Sequence, residues 1–281
     1  MRYAFLDLKR VVKRKSFYLT LILFLASVVI LNYFLYRNFN FKEFDLAKFD
    51  ILPMILSNFF AIKSSGILAM LITMFVLTDE LKESGYLRPI EAGYPRYTII
   101  LSKLLVSVLL SLAFLLIVFL VHSLSIFVLY GFFSKENIDL ILIMLKYILI
   151  NIPQILVFMM IPLILFNRTE SDYTASIGSY FFAAFFVRIL RTFGNKFDIP
   201  ILLKIVKFAP STTNDKIADQ FFEEVVIKIP KFEFISDYVF GDGKITNISM
   251  GQMLPYLGIS LVIFFILLAI SLYLFNRKNL D

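Results

Sequence analysis

Residues 1–36 read "MRYAFLDLKRVVKRKSFYLTLILFLASVVILNYFLY". Six of the 28 Lys and Arg residues lie before Phe17, and no charged residue occurs from Phe17 to Tyr36. An apolar run of about 20 residues, wound as a helix, spans the ~30 Å hydrocarbon core of a bilayer. Helix is the expected conformation because lipid leaves every backbone polar group to be paired within the segment. The cations in front of the run form the pattern that holds an N-terminus in the cytoplasm. The run is too long for the apolar core of a signal peptide, and no small-residue cleavage site follows. It is expected to remain as a first span.

The cationic stretch has a shape of its own. On a helical wheel Ala4, Phe5, Leu8, Val11 and Val12 share one face, while Arg2, Lys9, Arg10, Lys13 and Arg14 lie elsewhere. Residues 1–16 are therefore expected to form an amphipathic helix lying in the membrane interface.

The rest of the chain has the same character. Of 281 residues 59% are hydrophobic, 33 are Phe, and the mean hydropathy is +0.83. Such composition excludes a water-soluble enzyme. The net charge of +7 is used in the positive-inside pattern, so nucleic acid is not an expected partner. With no cysteine there is neither a disulfide nor a thiolate nucleophile.

Six apolar segments are long enough to span: Phe17–Tyr36, Ile55–Thr78, Tyr97–Tyr130, Leu140–Phe166, Tyr173–Leu190 and Leu254–Phe275. The expected fold is an all-α integral membrane protein, a single transmembrane unit over residues 1–281 with both termini cytoplasmic. Residues 1–16, 79–96, 167–172 and the tail from 276 then face inward. Residues 37–54, 131–139 and 191–253 face outward. In the long outer segment Ile199–Phe208 reads as a short re-entrant or interfacial helix ended by Pro210. An ordered, turn-rich cap containing Gly241, Asp242 and Gly243 follows it.

Polar residues inside spans are costly and therefore informative. Lys63, His122, Asn151 and Gln154 are candidates for lining a pathway. The competing readings are snorkelling for Lys63, a hydrogen-bonded buried imidazole for His122, and a proline kink at Pro153 for the two amides. Ala175, Ser179 and Ala183, spaced by four beside Gly178, form a small-residue row suited to close helix packing and a candidate dimer contact. No metal site is expected, since one histidine and no cysteine cannot supply the usual ligand set. "GDGK" at 241–244 has Tyr238 where a phosphate-binding loop needs glycine, and Ile245 where it needs Ser or Thr. The chain thus carries no nucleotide-binding motif of its own.

Between the second and third spans stands "DELKESGYLRPIEAGYPRYTIILSK", residues 79–103, with four acidic and four basic residues, two glycines and two prolines. This segment resembles the signature of ABC type-2 exporter permeases. Glu80 and Glu83 stand for the family's acidic residues, Gly85 and Leu87 for its Gly and Leu, Arg96 for the turn arginine and Lys103 for the basic foot of the third span. Tyr86 replaces a threonine, and "GYPR" at 93–96 replaces Pro-x-Ser-Arg. The resemblance implies an export permease from a bacterial cell membrane, working as a dimer with cytoplasmic ATPase chains that hold the ATP and Mg. Glu80, Glu83, Gly85, Leu87, Arg88, Pro95 and Arg96 would then form the coupling element that receives the ATPase. The cargo expected is an amphipathic peptide, antimicrobial or toxin-like, or a lipid. Three other classes stay open: an immunity or sensor protein that holds a peptide without moving it, an ion-coupled transporter, and an intramembrane enzyme using His122, Lys63 or Glu223.

Overall fold

The computed structural model describes residues 2–38, 52–77, 87–130, 135–169, 171–228 and 250–277. Among these every regular element is helical. The helices are α1 Arg2–Val12, α2 Lys15–Asn38, α3 Leu52–Leu77, α4 Leu87–Glu91, α5 Arg96–Tyr130, α6 Lys135–Ile150, α7 Ile152–Thr169 and α8 Asp172–Phe181. A π-helical segment, Phe182–Phe186, leads into α9 Val187–Lys196, followed by α10 Pro200–Lys207, α11 Pro210–Lys228 and α12 Met250–Asn276.

Helices α2, α5, α7 and α12 contain four stretches long and apolar enough to cross a membrane. The outward faces carry the same message. Leu120, Val128, Leu149, Ile177 and Phe265 are each more than 60% exposed, which suits contact with lipid. The chain is a helical membrane protein.

The centre of the bundle is α7, packed against α3 and α12. Around it α3 meets α5, and α5 meets α2 and α1. One glycine sets the closest approach. A Cβ at Gly66 on α3 would overlap the Phe158 ring on α7, so the two helices pack at a distance only glycine permits. Side-chain amides also cross between helices. Gln154 donates to Ser260 Oγ, and Asn167 Nδ2 donates to Ser271 Oγ at 3.1 Å, fastening α7 to α12 at two levels.

Three features differ from the sequence reading. The segment expected as one span over Leu140–Phe166 is two helices meeting at Asn151. Pro153 lacks an N–H and disfavours α geometry at Ile152, so the chain restarts with proline in the first turn of α7. The segment Tyr173–Leu190 runs on to Lys196, with the π turn at Phe182–Phe186 inside it. Pro210, expected to end an outer helix, ends α10 and also opens the 19-residue α11. Proline fits a first helical position as well as a stop. Glycines 241 and 243, with Asp242, lie outside the described residues.

Candidate functional site

Polar residues gather at two ends of this apolar bundle. At one end α1 lies across the feet of α3 and α5. Asp7, buried, is 2.6 Å from Lys103 Nζ on α5, and the Lys103 side chain is 0% exposed. The other Asp7 oxygen takes Arg10 at 3.1 Å. The Tyr3 ring lies 5.6 Å beneath the Lys103 ammonium and packs, tilted, against Tyr94. Arg14 donates to the Phe75 carbonyl at 2.6 Å, near the C-terminal end of α3. Cations at a helix C-terminus satisfy carbonyls that have no partner within the helix.

Arg96 makes the same kind of bond to the last helix, reaching the Asn276 carbonyl at 2.9 Å and that of Phe275 at 3.5 Å. Between these fixed points sits α4. Its end is a Schellman turn: Tyr94 N–H donates to Pro89 O and Gly93 N–H to Ile90 O, both at 2.9 Å. Gly93 takes φ +83°, a left-handed geometry that glycine adopts without strain. Pro89 lies in the first turn of α4 rather than in the turn after it. Thus α1, α4 and the ends of α3, α5 and α12 form one interlocked platform.

At the opposite end a partly open cavity of about 170 Å³ lies between α2, α3, α5 and the α6–α7 junction. Its walls are mostly apolar, with a polar patch of Asn32, Ser65, His122 and Asn151. Ser125 gives its hydroxyl proton to the His122 carbonyl, and Ser65 gives its own to the Ile62 carbonyl. Each serine oxygen can therefore only accept from the amide facing it, which fixes Asn32 and Asn151 with Nδ2 toward the serines. Asn32 Nδ2 also approaches His122 Nδ1 at 2.8 Å. Facing an amide donor, that ring nitrogen serves as the acceptor.

On the other side of α3 a second cleft, of about 280 Å³, lies between α7, the α8–α9 stretch and α11. Lys63, Arg188 and Arg191 face it, with Asp215 as counter-charge 3.4 Å from Lys63 Nζ. Asn214 donates to the Lys63 carbonyl at 2.7 Å and ties α11 to α3. Burial raises the Asp219 carboxyl above its usual range, Lys63 opposing this and Asp215 adding to it. Farther along α11, burial works against charge on Glu224. Hydrogen bonds from Lys146, Lys228 and Tyr147 outweigh it and bring that carboxyl to about 2.

The sequence candidates divide accordingly. His122 and Asn151 line one cavity, Lys63 lines the other cleft, and Gln154 is fully buried against α12. Ala175, Ser179 and Ala183 are all buried within the chain, facing its own helices rather than outward. The row packs this subunit, because α8 lies on α7 through it and Gly178 sits against Leu165. The exposed side of α8 carries Tyr173, Ile177 and Tyr180 instead. Glu80, Glu83 and Gly85 lie outside the described residues, and Leu87 and Arg88 open α4. Pro95 accepts the Thr98 N–H at 2.9 Å and starts α5.

Sequence reasoning missed Asn32 and Asp7. Both carried a signal: Asn32 is the one amide inside the first apolar run, and Asp7 the one acid among six cations. Comparison with protein-family models, with curated proteins and with solved structures finds no match for this chain.

Proposed function

We propose that this chain is the membrane-spanning subunit of an exporter, driven by a separate cytoplasmic ATPase that docks on residues 79–103. The observation that carries the reading is the interlocked platform. A push delivered to α4 is passed to α5 by the Schellman turn, to α12 through Arg96 and to α1 through Lys103 and Asp7. A plain solvated loop has no need of such fastening. In this reading six segments span, both termini are cytoplasmic, and two chains assemble in a bacterial cell membrane. ATP and Mg belong to the partner. The cargo is an amphipathic peptide or lipid, for which the Phe-rich walls are suited.

Charge reversal at Glu83 or Arg88 tests the assignment. Both variants are expected to insert and fold, yet to lose co-purification of the ATPase, because like charges across an interface cost up to several kcal/mol. Transport and the permease-dependent part of ATP hydrolysis fall with it. Lys42→Glu serves as the silent control. Normal docking and transport in all three variants would remove the coupling role.

A second reading, an immunity or sensor protein, draws on the cavity of about 170 Å³, which is sized to hold one group rather than to conduct a chain. An ATPase whose turnover responds to this protein decides for export. The intramembrane-enzyme reading gains nothing from the geometry: His122 and Lys63 are engaged with different partners on opposite sides of α3.

A further inference from the structure

We infer that the cleft bounded by α3, the α8–α9 stretch and α11 holds the phosphate headgroup of an anionic phospholipid, gripped by Arg188 and Arg191. The inference goes beyond the export reading, since it concerns the membrane around the chain rather than any ATPase.

The charges in the cleft do not cancel among themselves. Lys63 Nζ lies 3.4 Å from Asp215 Oδ1, and Asp219, one turn farther along α11, also interacts with Lys63. Those two carboxylates balance the lysine. Arg188 and Arg191, one turn apart on α9, line the same cleft. Among the described residues no carboxylate comes within ion-pair distance of either arginine. The Arg191 guanidinium instead reaches over to α11, where it donates to Thr212 Oγ1 at 3.2 Å. Ser211, beside that threonine in the first turn of α11, also lines the cleft. Two guanidinium forks, a hydroxyl and the first turn of a 19-residue helix thus meet at one space, and each favours a phosphate.

The surroundings say where that phosphate comes from. Tyr180, Phe185 and Val187 form an apolar wall next to the arginines, and the first two are about half exposed. On the face of α9 away from the arginines, Ile189 and Phe193 are exposed as well. The surface around the arginines therefore suits hydrocarbon, and a run of polar residues (Thr192, Asn195, Lys196) begins only beyond it. A guanidinium at such a boundary is costly without an anion. A free ion would have to leave water to reach it. A lipid brings its phosphate to that level with its acyl chains already in hydrocarbon. The cleft is partly open, and its volume of about 280 Å³ admits a headgroup while the chains lie outside against Tyr180 and Phe185. A zwitterionic headgroup adds a cation that the arginines repel, so a lipid of net negative charge is preferred.

The chain contains no tryptophan, so Phe185→Trp places a single fluorophore in the cleft wall. Brominated phosphatidylglycerol or brominated phosphatidylcholine is then added in equal amounts to phosphatidylcholine bilayers holding this protein, and the quenching compared. Phosphatidylglycerol is expected to bind roughly five- to thirty-fold more tightly, each arginine being worth about a factor of five beside an anionic headgroup. Arg188→Gln/Arg191→Gln is expected to remove the preference, and Arg188→Gln alone, which keeps the Arg191–Thr212 bond, to remove part of it. Both arginines are exposed, so neither change strands a buried group, and an unaltered helical circular dichroism spectrum checks the fold. Lys204→Gln/Lys207→Gln, on exposed positions of α10 outside the cleft, is expected to leave the preference intact. Equal quenching by the two lipids overturns the inference. So does a preference that survives in the double arginine variant, or one lost as fully in the lysine variant, which would mean a diffuse attraction to positive charge. Millimolar inorganic phosphate is expected to leave the quenching unchanged; displacement of the brominated lipid by it would overturn the lipid assignment in favour of a free anion.

Discussion

Removing one partner of the Asp7–Lys103 pair tests whether α1 is fastened to the bundle by charge. At 2.6 Å the pair has a gross attraction of roughly 6 kcal/mol at an effective dielectric constant of ~20. Most of this is offset by desolvation, since both side chains are at least 96% buried. The net worth of the intact pair is therefore small. Breaking it is not. Asp7→Leu takes the Asp7 carboxylate from the buried Lys103 ammonium, for an expected loss of up to about 3–5 kcal/mol. Lys103→Met costs less, because Asp7 keeps Arg10 at 3.1 Å, a partner whose side chain is 35% exposed and reaches water. The double variant Asp7→Leu/Lys103→Met, with neither charge of the pair left to bury and Arg10 partly in water, should recover most of the loss caused by Asp7→Leu. Thermal unfolding in one detergent, followed by circular dichroism, reads the series. At roughly 2–4 °C per kcal/mol for a domain near this size, Asp7→Leu should melt up to about 6–20 °C early and the double variant closer to the parent. Additive losses, with the double variant worst of the three, would refute the reasoning, because independent side chains add and coupled ones do not.

The Glu224 carboxyl sits at about 2 in the folded chain, against 4.5 ordinarily, so its contribution is complete above 4.5 and is lost as pH falls from there toward 2. With Lys146 and Lys228 about half exposed, that contribution is about 1–2 kcal/mol; hydrogen exchange in α11 should rise on acidification, and Glu224→Gln should flatten the dependence. Gly66→Leu should force α3 from α7 at a cost of about 1–3 kcal/mol, and Phe158→Ala in the same chain should restore part of the lost melting temperature. Gly93→Val should strain the left-handed turn by about 1–2 kcal/mol and shift α4, whereas Gly93→Asn should be milder; crosslinking between cysteines placed at Tyr3 and Tyr94 reports the shift.

The helices were legible because a run such as Phe17–Tyr36 leaves the backbone one way to pair in lipid. The amphipathic character of residues 1–16 was legible from the spacing of Leu8, Val11 and Val12, and α1 spans Arg2–Val12. What the pattern could not give was partnership. Lys103 reads as a basic foot whether it meets water or a carboxylate, and only the crossing of α1 over α5 brings Asp7 to it. His122 and Asn151 stand out in the sequence by polarity, yet their meeting at one cavity depends on how α3 lies between α5 and α7. The break at Asn151 was read as a kink because proline distorts and divides helices by the same means; tertiary packing chooses between the two outcomes. The row Ala175, Ser179, Ala183 marks a close contact in either case, and sequence alone is silent on whether the neighbour is a second copy or α7.

The π turn at Phe182–Phe186 uncouples the aim of α9 from one residue of chain length. Such a turn holds one residue more than an α turn needs. Closing it to α geometry with every residue kept would rotate everything beyond by about 100°. Arg188 and Arg191 would leave the Lys63 cleft and swing toward the hydrocarbon, while Ile189 and Phe193 would turn toward the charged groups. The aim of the cationic face of α9 thus rests on the π turn, which takes up one extra residue; deleting one residue there would close the turn and leave that aim unchanged, whereas losing the π turn at full length would re-aim it without changing any side chain.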